Sequence, residues 1–441
     1  VILFSPRRLA LVMLPIFLAV CPSSRVQAQT LPGATKPAEQ LKFVVIVSRH
    51  GVRSPTGKTD QLNRYSAQPW PAWSVPPGYL TEHGAKLMTL FGAYDREFYG
   101  KAGLLSVNGC SDASHVAILA DSDQRTRDTG KALAAGLMPG CEVQVRTQTE
   151  GTPDPLFHSL DAGVGHPDKM LATAAVSGRI GGEPSGLTEA YRPQLEALEG
   201  VLLGCELTSS CPAANTPAPA NLLDVPSSIA PGKADHLVDL RGPLATAATM
   251  SENLLLEYAE GMAQVGWGRV DLSKLRELMQ LHTASADIER RTPYLARVQA
   301  SNLLAHILDS MQQAVSNQPV AGALVKPGDR LLILVGHDTN LANISGDLGL
   351  SWLIDGRRDD TPPGGALIFE LWESAKSEYS VRTYYTAQTL DQMRNATPLS
   401  LASPPERVTV FVPGCSQADA SCMWSDFSRT IRSAIDTDFV R

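Results

Sequence analysis

The sequence predicts an α/β protein: a mixed, mostly parallel sheet flanked by helices, with a second, all-α domain inserted into it. Three observations carry this. The short apolar runs Phe43 to Val47, His115 to Ala120 and Leu331 to Val335 have the character of strands buried on both faces of a helix-covered sheet. Between about residues 155 and 320 such runs vanish, and a Gly/Pro/Ala-rich stretch followed by amphipathic helical patterns replaces them. Beyond residue 320 the strand pattern resumes. The expected organisation is a leader at 1–28, an α/β domain from 29–154 and 321–441, and a helical insertion at 155–320. With 441 residues, 43% hydrophobic content and no internal repeat, the chain can bury one large core or two.

The elements follow in order. Arg7 and Arg8, the apolar stretch Leu9 to Val20 and the small residues around Val26-Gln27-Ala28 read as a cleaved secretory signal, too short for a membrane span. A twin-arginine signal is disfavoured by Pro6, and a lipid-anchored Cys21 by the bulky Val20 before it. Residues 29 to 41 are a polar, Pro-bearing lead-in. After the first strand comes a Pro/Trp loop, Ser66 to Gly78, and then Thr81, a capping residue for a helix with Leu87, Phe91, Tyr94 and Phe98 on one face. The second strand leads through Asp121-Ser122-Asp123-Gln124-Arg125 into a helix over Thr126 to Leu137, and Val143 to Val145 form a short third strand. Leu331 to Val335, Ala366 to Trp372 and Tyr379 to Gln388 complete the sheet.

Charge and cysteines narrow the class. Without residues 1–28, 35 basic residues face 45 acidic ones, a net of −10, which suits neither nucleic acid nor an anionic membrane. An anionic substrate then needs a local arginine cluster. Loss of Cys21 leaves six cysteines, an even number that favours disulfides in an exported protein, although six allow fifteen pairings. Cys205 with Cys211 and Cys415 with Cys422 are close in sequence, which leaves Cys110 with Cys141. These gaps are not those of zinc sites. The protein is expected to be a periplasmic or secreted monomer.

The stretch FVVIVSRHGVRSPTGKT, residues 43 to 59, admits two phosphate chemistries. Gly57-Lys58-Thr59 has the ending of a P-loop, but Gly51 and Gly57 are five residues apart, one too many, and Pro55 removes a backbone donor. The alternative centres on His50. An unprotonated imidazole attacks phosphorus, and Arg49 and Arg53 beside it lower its proton affinity and match phosphate oxygens. The plainer reading is two solvated arginines around a packed histidine.

A second motif decides between them. LLILVGHDTNLANI, residues 331 to 344, is again a strand, a Gly turn, and His337-Asp338 opening a helix. Carboxyl ends of strands form the ligand crevice of an open α/β sheet, so both motifs reach one mouth. Asp338, partly buried there beside His337 and a bound phosphate, is expected to have a raised pKa and to protonate a departing alcohol, although Asp in this position is also a common helix cap. Arg125, just past the second strand and near a helix N-terminus, is the third anion-binding candidate; Arg127 reads as a surface residue. Metal binding by His50, His337 and Asp338 is disfavoured by three arginines nearby, and no Gly-x-Ser-x-Gly elbow is present.

With RHGVRSPT early and GHDTNLANI late, the chain resembles the histidine acid phosphatases (histidine phosphatase superfamily, branch 2), and within them the bacterial periplasmic phytases. DSDQRTRDTGKALAAGL, TPDPLFHSL, GWGR, RRTP, TPPGGALIFELW and TPLSL extend the likeness over most of residues 42 to 425. The resemblance implies hydrolysis of phytate and other phosphomonoesters, such as sugar phosphates, at acid pH, without metal or cofactor. His50 is then the phosphorylated nucleophile and Asp338 the proton donor. Arg49, Arg53, Arg125 and His337 form the phosphate clamp, Thr56 and Thr339 are hydroxyls near the substrate, and Glu252 and Arg291 face the cleft from the helical domain. Glucose-1-phosphatase or broad acid phosphatase activity is the nearest alternative, and a non-catalytic periplasmic phosphate binder is the rival of another class. Two departures stand out. Gly57 occupies a position where the phytase motif usually carries Lys, and the fourth disulfide common in those enzymes is missing, since Gly163-Val164-Gly165 and the C-terminal tail lack its cysteines.

Overall fold

In the computed structural model, which describes residues 39–57, 59–204, 219–233 and 236–441, the run Phe43 to Val47 lies inside the strand Gln40–Arg49, within an eight-stranded mixed sheet. The leader, Lys58, and Cys205 with Cys211 lie outside the described residues. Across the sheet the order is Glu406–Thr409, Tyr379–Ala387, Ala366–Glu373, Gln40–Arg49, Leu331–Gly336, Val116–Ala120 and Val145–Arg146, with Ser421–Met423 also paired to Tyr379–Ala387. The last four strands of that order run parallel to one another. The hairpin Ala366–Glu373 and Tyr379–Ala387 adds antiparallel pairing beside them.

Alternation along Gln40–Arg49 explains why the run is apolar throughout. Val44 and Ile46 enter one core with Phe91, Leu133, Ile333 and Ile368. Phe43, Val45 and Val47 enter another with Leu304, Ile307, Leu334 and Leu341. With side chains alternating between faces and both faces covered, no position tolerates a polar group. The first face is covered by the helices Glu82–Lys101 and Gln124–Leu137, the second by Pro293–Ser316, Asp338–Leu348 and Trp424–Ala434. The Thr81 cap is made: its hydroxyl accepts from the Gly84 N–H at 2.8 Å.

A third core gathers the helices Lys169–Arg179, Arg192–Leu203, Pro243–Ala259 and Leu272–Arg290 around Val176, Leu198, Leu202, Leu254 and Leu278. Pro293–Ser316 serves two cores, with Leu295 and Val298 in this one and Leu303 to Met311 against the sheet. The region is not free of strands: Ser228–Pro231 pairs with Val238–Arg241 in a small hairpin. Cys415–Cys422, expected from its close spacing, and Cys110–Cys141, expected as the remaining pair, are both bonded. Among the described residues, no helix is long and apolar enough to cross a membrane.

Topology places the site. The chain leaves Gln40–Arg49 toward the helix Glu82–Lys101 on one face, and leaves the adjacent parallel strand Leu331–Gly336 toward Asp338–Leu348 on the other. Neighbouring strands whose connections part in opposite directions open a crevice at their carboxyl ends. His50 and His337 are the first residues past those two ends.

Candidate active site

The backbone of the first motif is pinned at every step. Arg49 N–H donates to Gly365 O and His50 N–H to Gly336 O, both at 2.9 Å, while His50 O accepts from Gly364 N–H at 2.9 Å. Gly51 N–H donates to the Thr129 hydroxyl at 2.9 Å. Gly84 lets the helix Glu82–Lys101 press on the next turn of the loop, since a Cβ there would lie 2.1 Å from Val52 O. The segment TPPGG thus acts as a backbone brace for the His50 loop.

Neither arginine of the motif is solvated. Arg49 is fully buried; its guanidinium donates to Thr361 O at 2.6 Å and to the Glu252 carboxylate. Arg53, also buried, donates to the same Glu252 oxygen at 3.1 Å. Glu252 comes from the helix Pro243–Ala259 and is a shared counterion for both. Burial pushes its carboxyl up, but Arg53 and Arg49 together bring it down to about 2.

His50 lies between these groups, with Nδ1 2.8 Å from Gly51 O. A carbonyl only accepts, so Nδ1 carries the hydrogen and Nε2 keeps its lone pair. Burial, and then the charges of Arg49, Arg53 and Arg125, hold its pKa well below the usual imidazole value. The ring is therefore a neutral base in mildly acid solution.

His337 stands edge-on to His50, with ring centroids 5.6 Å apart. Its Nε2 lies 2.6 Å from an oxygen of Asp121, which is fully buried and also receives His158 Nε2 at 3.1 Å. Arg125 Nη2 is 3.4 Å from His337 Nδ1 and 2.5 Å from Asp123. Thr56 belongs to the same mouth: a Cβ on Gly78 would touch its methyl at 3.4 Å and Arg125 Nη1 at 3.6 Å. Thr339 lines the cavity beside His337.

Among the protein's own groups, Asp338 does not carry a raised pKa. Burial pushes the carboxyl up, yet Arg290 and Arg49 outweigh burial and hold it well below the usual carboxylate range. Arg290 Nη1 lies 2.5 Å from one oxygen of Asp338, and the other accepts from Thr339 N–H at 3.0 Å. Asp338 is the first residue of its helix; the cap position belongs to His337.

Arg291, expected at the cleft, turns away from it. Its guanidinium donates to Leu350 O at 2.6 Å and pairs with Asp287 and Asp359, fastening the helix end to the neighbouring loop. Arg290 takes the position at Asp338 instead. It lies two turns beyond His282, another neighbour of Asp338, on the same face of Leu272–Arg290. Asp121 and His158 were also missed, although Asp121 directly follows a strand end. Arg127 pairs with Glu150, as a surface residue would.

Among the described residues, two groups of side chains are close enough to share a cation: Asp121, Asp123, His158 and His337, and Glu252, His282 and Asp338. A cation would have to displace Arg125 from Asp123 in the first, and Arg290 from Asp338 in the second. The arrangement instead suits a tetrahedral anion: three guanidinium groups surround a neutral imidazole.

Comparison with known proteins agrees with this chemistry. The chain is 37% identical over 406 residues to the phytase AppA of Escherichia coli, spanning 91% of this chain and 93% of that one. It is 29% identical over 426 residues to the glucose-1-phosphatase of Salmonella typhimurium, spanning 94% and 97%. The structure of the Hafnia alvei phytase in complex with myo-inositol hexakis sulphate superposes with a TM-score of 0.81 at 35% identity, covering 91% of this chain and 99% of that one. A family model described as the histidine phosphatase superfamily (branch 2) matches residues 40–185 and 250–386. The chain belongs to branch 2 of the histidine phosphatase superfamily.

Proposed function

We propose that this protein hydrolyses phytate (myo-inositol hexakisphosphate) and other phosphomonoesters at acid pH through a phosphohistidine. The observation that carries the reading is the neutral, buried His50 with its Nε2 lone pair, next to the guanidinium groups that would bind a phosphoryl group.

In the first step Nε2 of His50 forms a bond to phosphorus as the bond from phosphorus to the ester oxygen breaks, and Asp338 gives its proton to that oxygen. In the second, water attacks phosphorus and passes a proton to Asp338, the N–P bond breaks, and inorganic phosphate leaves. Arg49, Arg53, Arg125 and His337 clamp the phosphoryl oxygens, with the hydroxyls of Thr56 and Thr339 beside them. Glu252 orients the first two arginines. No metal or cofactor takes part in this scheme. We place the work in the periplasm or outside the cell, performed by a monomer, with residues 155–320 as a helical insertion over the cleft.

Phytate is favoured by the likeness to phytases across nearly the whole chain. A second reading, glucose-1-phosphatase or broad acid phosphatase activity, has Gly57 in its favour. That exposed position offers no cation to a second phosphate, and nothing lies within 4 Å of a Cβ built there. The time course of inositol phosphates released from phytate separates the two. Substitution of His50 by Ala should abolish turnover of phytate and of p-nitrophenyl phosphate in metal-stripped protein; residual turnover at the wild-type rate would refute the scheme, and a wild type without turnover would leave a phosphate binder.

A further inference from the structure

The proton donor of the proposed reaction is not ready to donate. Both oxygens of Asp338 are engaged by donors, Arg290 Nη1 on one and the Thr339 N–H on the other. A carboxyl in that arrangement is an acceptor only. Deepening the reading of Asp338 as the acid, we infer that Arg290 is a substrate-displaced latch. In the empty site its guanidinium holds the Asp338 carboxylate; a phosphate elsewhere on a polyphosphorylated substrate draws it off, so that the carboxyl can carry the proton.

Of the described guanidinium groups facing Asp338, Arg49, Arg53 and Arg290, the last is the one able to move, since Arg53 is held by Ser54 O and Glu252. Arg49 has no exposed surface and is tied to Thr361 O and Glu252. Arg290 is the last residue of its helix, and its side chain is 31% exposed. Arg290 also lines the cavity of about 170 Å3 beside His337, together with His158, His236, Glu289 and Thr339, which gives the guanidinium room to swing. The remaining charged neighbours do not take over its role. His282 and Glu289 come from the same helix, Glu252 from Pro243–Ala259, already committed to Arg49 and Arg53, and His337 from the adjoining residue, committed to Asp121.

Two events then act in the same direction. A phosphoryl dianion among Arg49, Arg53 and Arg125 cancels much of the positive field at Asp338, and departure of Arg290 removes the contact charge. Burial, which opposes the charged form, is left to dominate. A substrate with one phosphate supplies only the first event. The latch therefore favours polyphosphorylated substrates at the acid-catalysed step, without a clash or pocket that excludes the others.

The test compares wild type, Arg290→Gln and Arg290→Lys on phytate and on glycerol 2-phosphate, a monophosphate whose alkoxide leaving group also needs a proton. With Arg290→Gln, the ratio of kcat/KM for phytate to that for glycerol 2-phosphate should fall by about tenfold, the loss of one charge-assisted contact. The upper pH limb of kcat/KM for glycerol 2-phosphate should move up by about one unit, because an opposing charge no longer holds the carboxylate. Arg290→Lys, which keeps the charge, should stay nearer wild type in both. A merely structural arginine would lower both substrates together and leave the limb in place, and that result overturns the latch. A wild type that releases phosphate from neither substrate overturns the phosphatase reading and this inference with it; an active wild type with an unchanged ratio in Arg290→Gln overturns the latch alone.

Discussion

Nε2 of His337 meets a carboxylate oxygen of Asp121 at 2.6 Å, on a residue with no exposed surface. This contact fixes the ring's tautomer. Nε2 carries the hydrogen toward Asp121, and Nδ1 is the atom left beside Arg125. To donate to a phosphate oxygen, Nδ1 must also be protonated, and the Asp121 anion stabilises that imidazolium against burial, which lowers its proton affinity. Asp121→Asn keeps the shape and removes the charge. It should lower kcat/KM on phytate and p-nitrophenyl phosphate by about ten- to a hundredfold, as loss of an orienting partner does elsewhere, and the deficit should grow as pH rises. A flat, pH-independent loss would contradict this account.

Glu252 is the next point of leverage. Its carboxylate lies between two buried guanidinium groups, and its removal leaves both short of a counterion. Glu252→Gln should cost about 3 kcal/mol at pH 5, the usual penalty for breaking a buried pair from one side. The pH dependence has a definite sign. The folded-state value is about 2, below the ordinary 4.5, so the stabilisation is present above 4.5 and is lost as pH falls through about 2. Denaturant melts should thus show the gap between wild type and variant closing as the solution is acidified.

Glu257, one turn and a residue further along the same helix, works in the opposite sense. It is buried with one donor, the Gly266 N–H at 2.9 Å, and burial pushes its carboxyl up to about 7. Below 4.5 both folded and unfolded chains hold the proton. Between 4.5 and about 7 the unfolded chain releases it first, so stability is lost across that window and no further above it. Glu257→Gln keeps an acceptor for Gly266 and cannot ionise. The variant's stability relative to wild type should rise by up to about 3 kcal/mol between pH 4.5 and pH 8; equal pH profiles would show that the carboxyl does not titrate as described.

Strand ends were legible because a both-sides-buried strand must be apolar throughout, so Phe43 to Val47 and Leu331 to Val335 identified themselves, and the turns that follow them, with His50 and His337, became site candidates. Arg290 was not legible. Two adjacent arginines leave a helix end about 100° apart, and only the phase set by packing of Leu272–Arg290 decides which one reaches Asp338. The pKa expected of Asp338 beside a bound phosphate left the same guanidinium out of account, and among the protein's own groups it is this charge that holds the carboxyl down. The hairpin Ser228–Pro231 with Val238–Arg241 was hidden by its composition: Ser, Ala, Pro and Asp have weak strand preference.

The missing fourth disulfide has a non-covalent counterpart. Phe439 from the C-terminal segment is buried in the helical core and sits over Gly165, at φ +77°, so closely that a Cβ there would lie 2.3 Å from the ring. The glycine is required twice, by its left-handed backbone and by the ring above it. Phe439→Ala should cost about 3 kcal/mol in denaturant unfolding, as truncation of a buried phenylalanine does. Gly165→Ala should also destabilise, through strain and contact together. Because both residues make one joint, the double variant should lose less than the sum of the two, the mark of coupled neighbours. Turnover should persist at room temperature, because His158, on the same loop, is anchored separately through its N–H to Asp154 O at 2.7 Å. Full additivity of the two losses would mean that tail and loop are held independently, and the clasp would have to be abandoned.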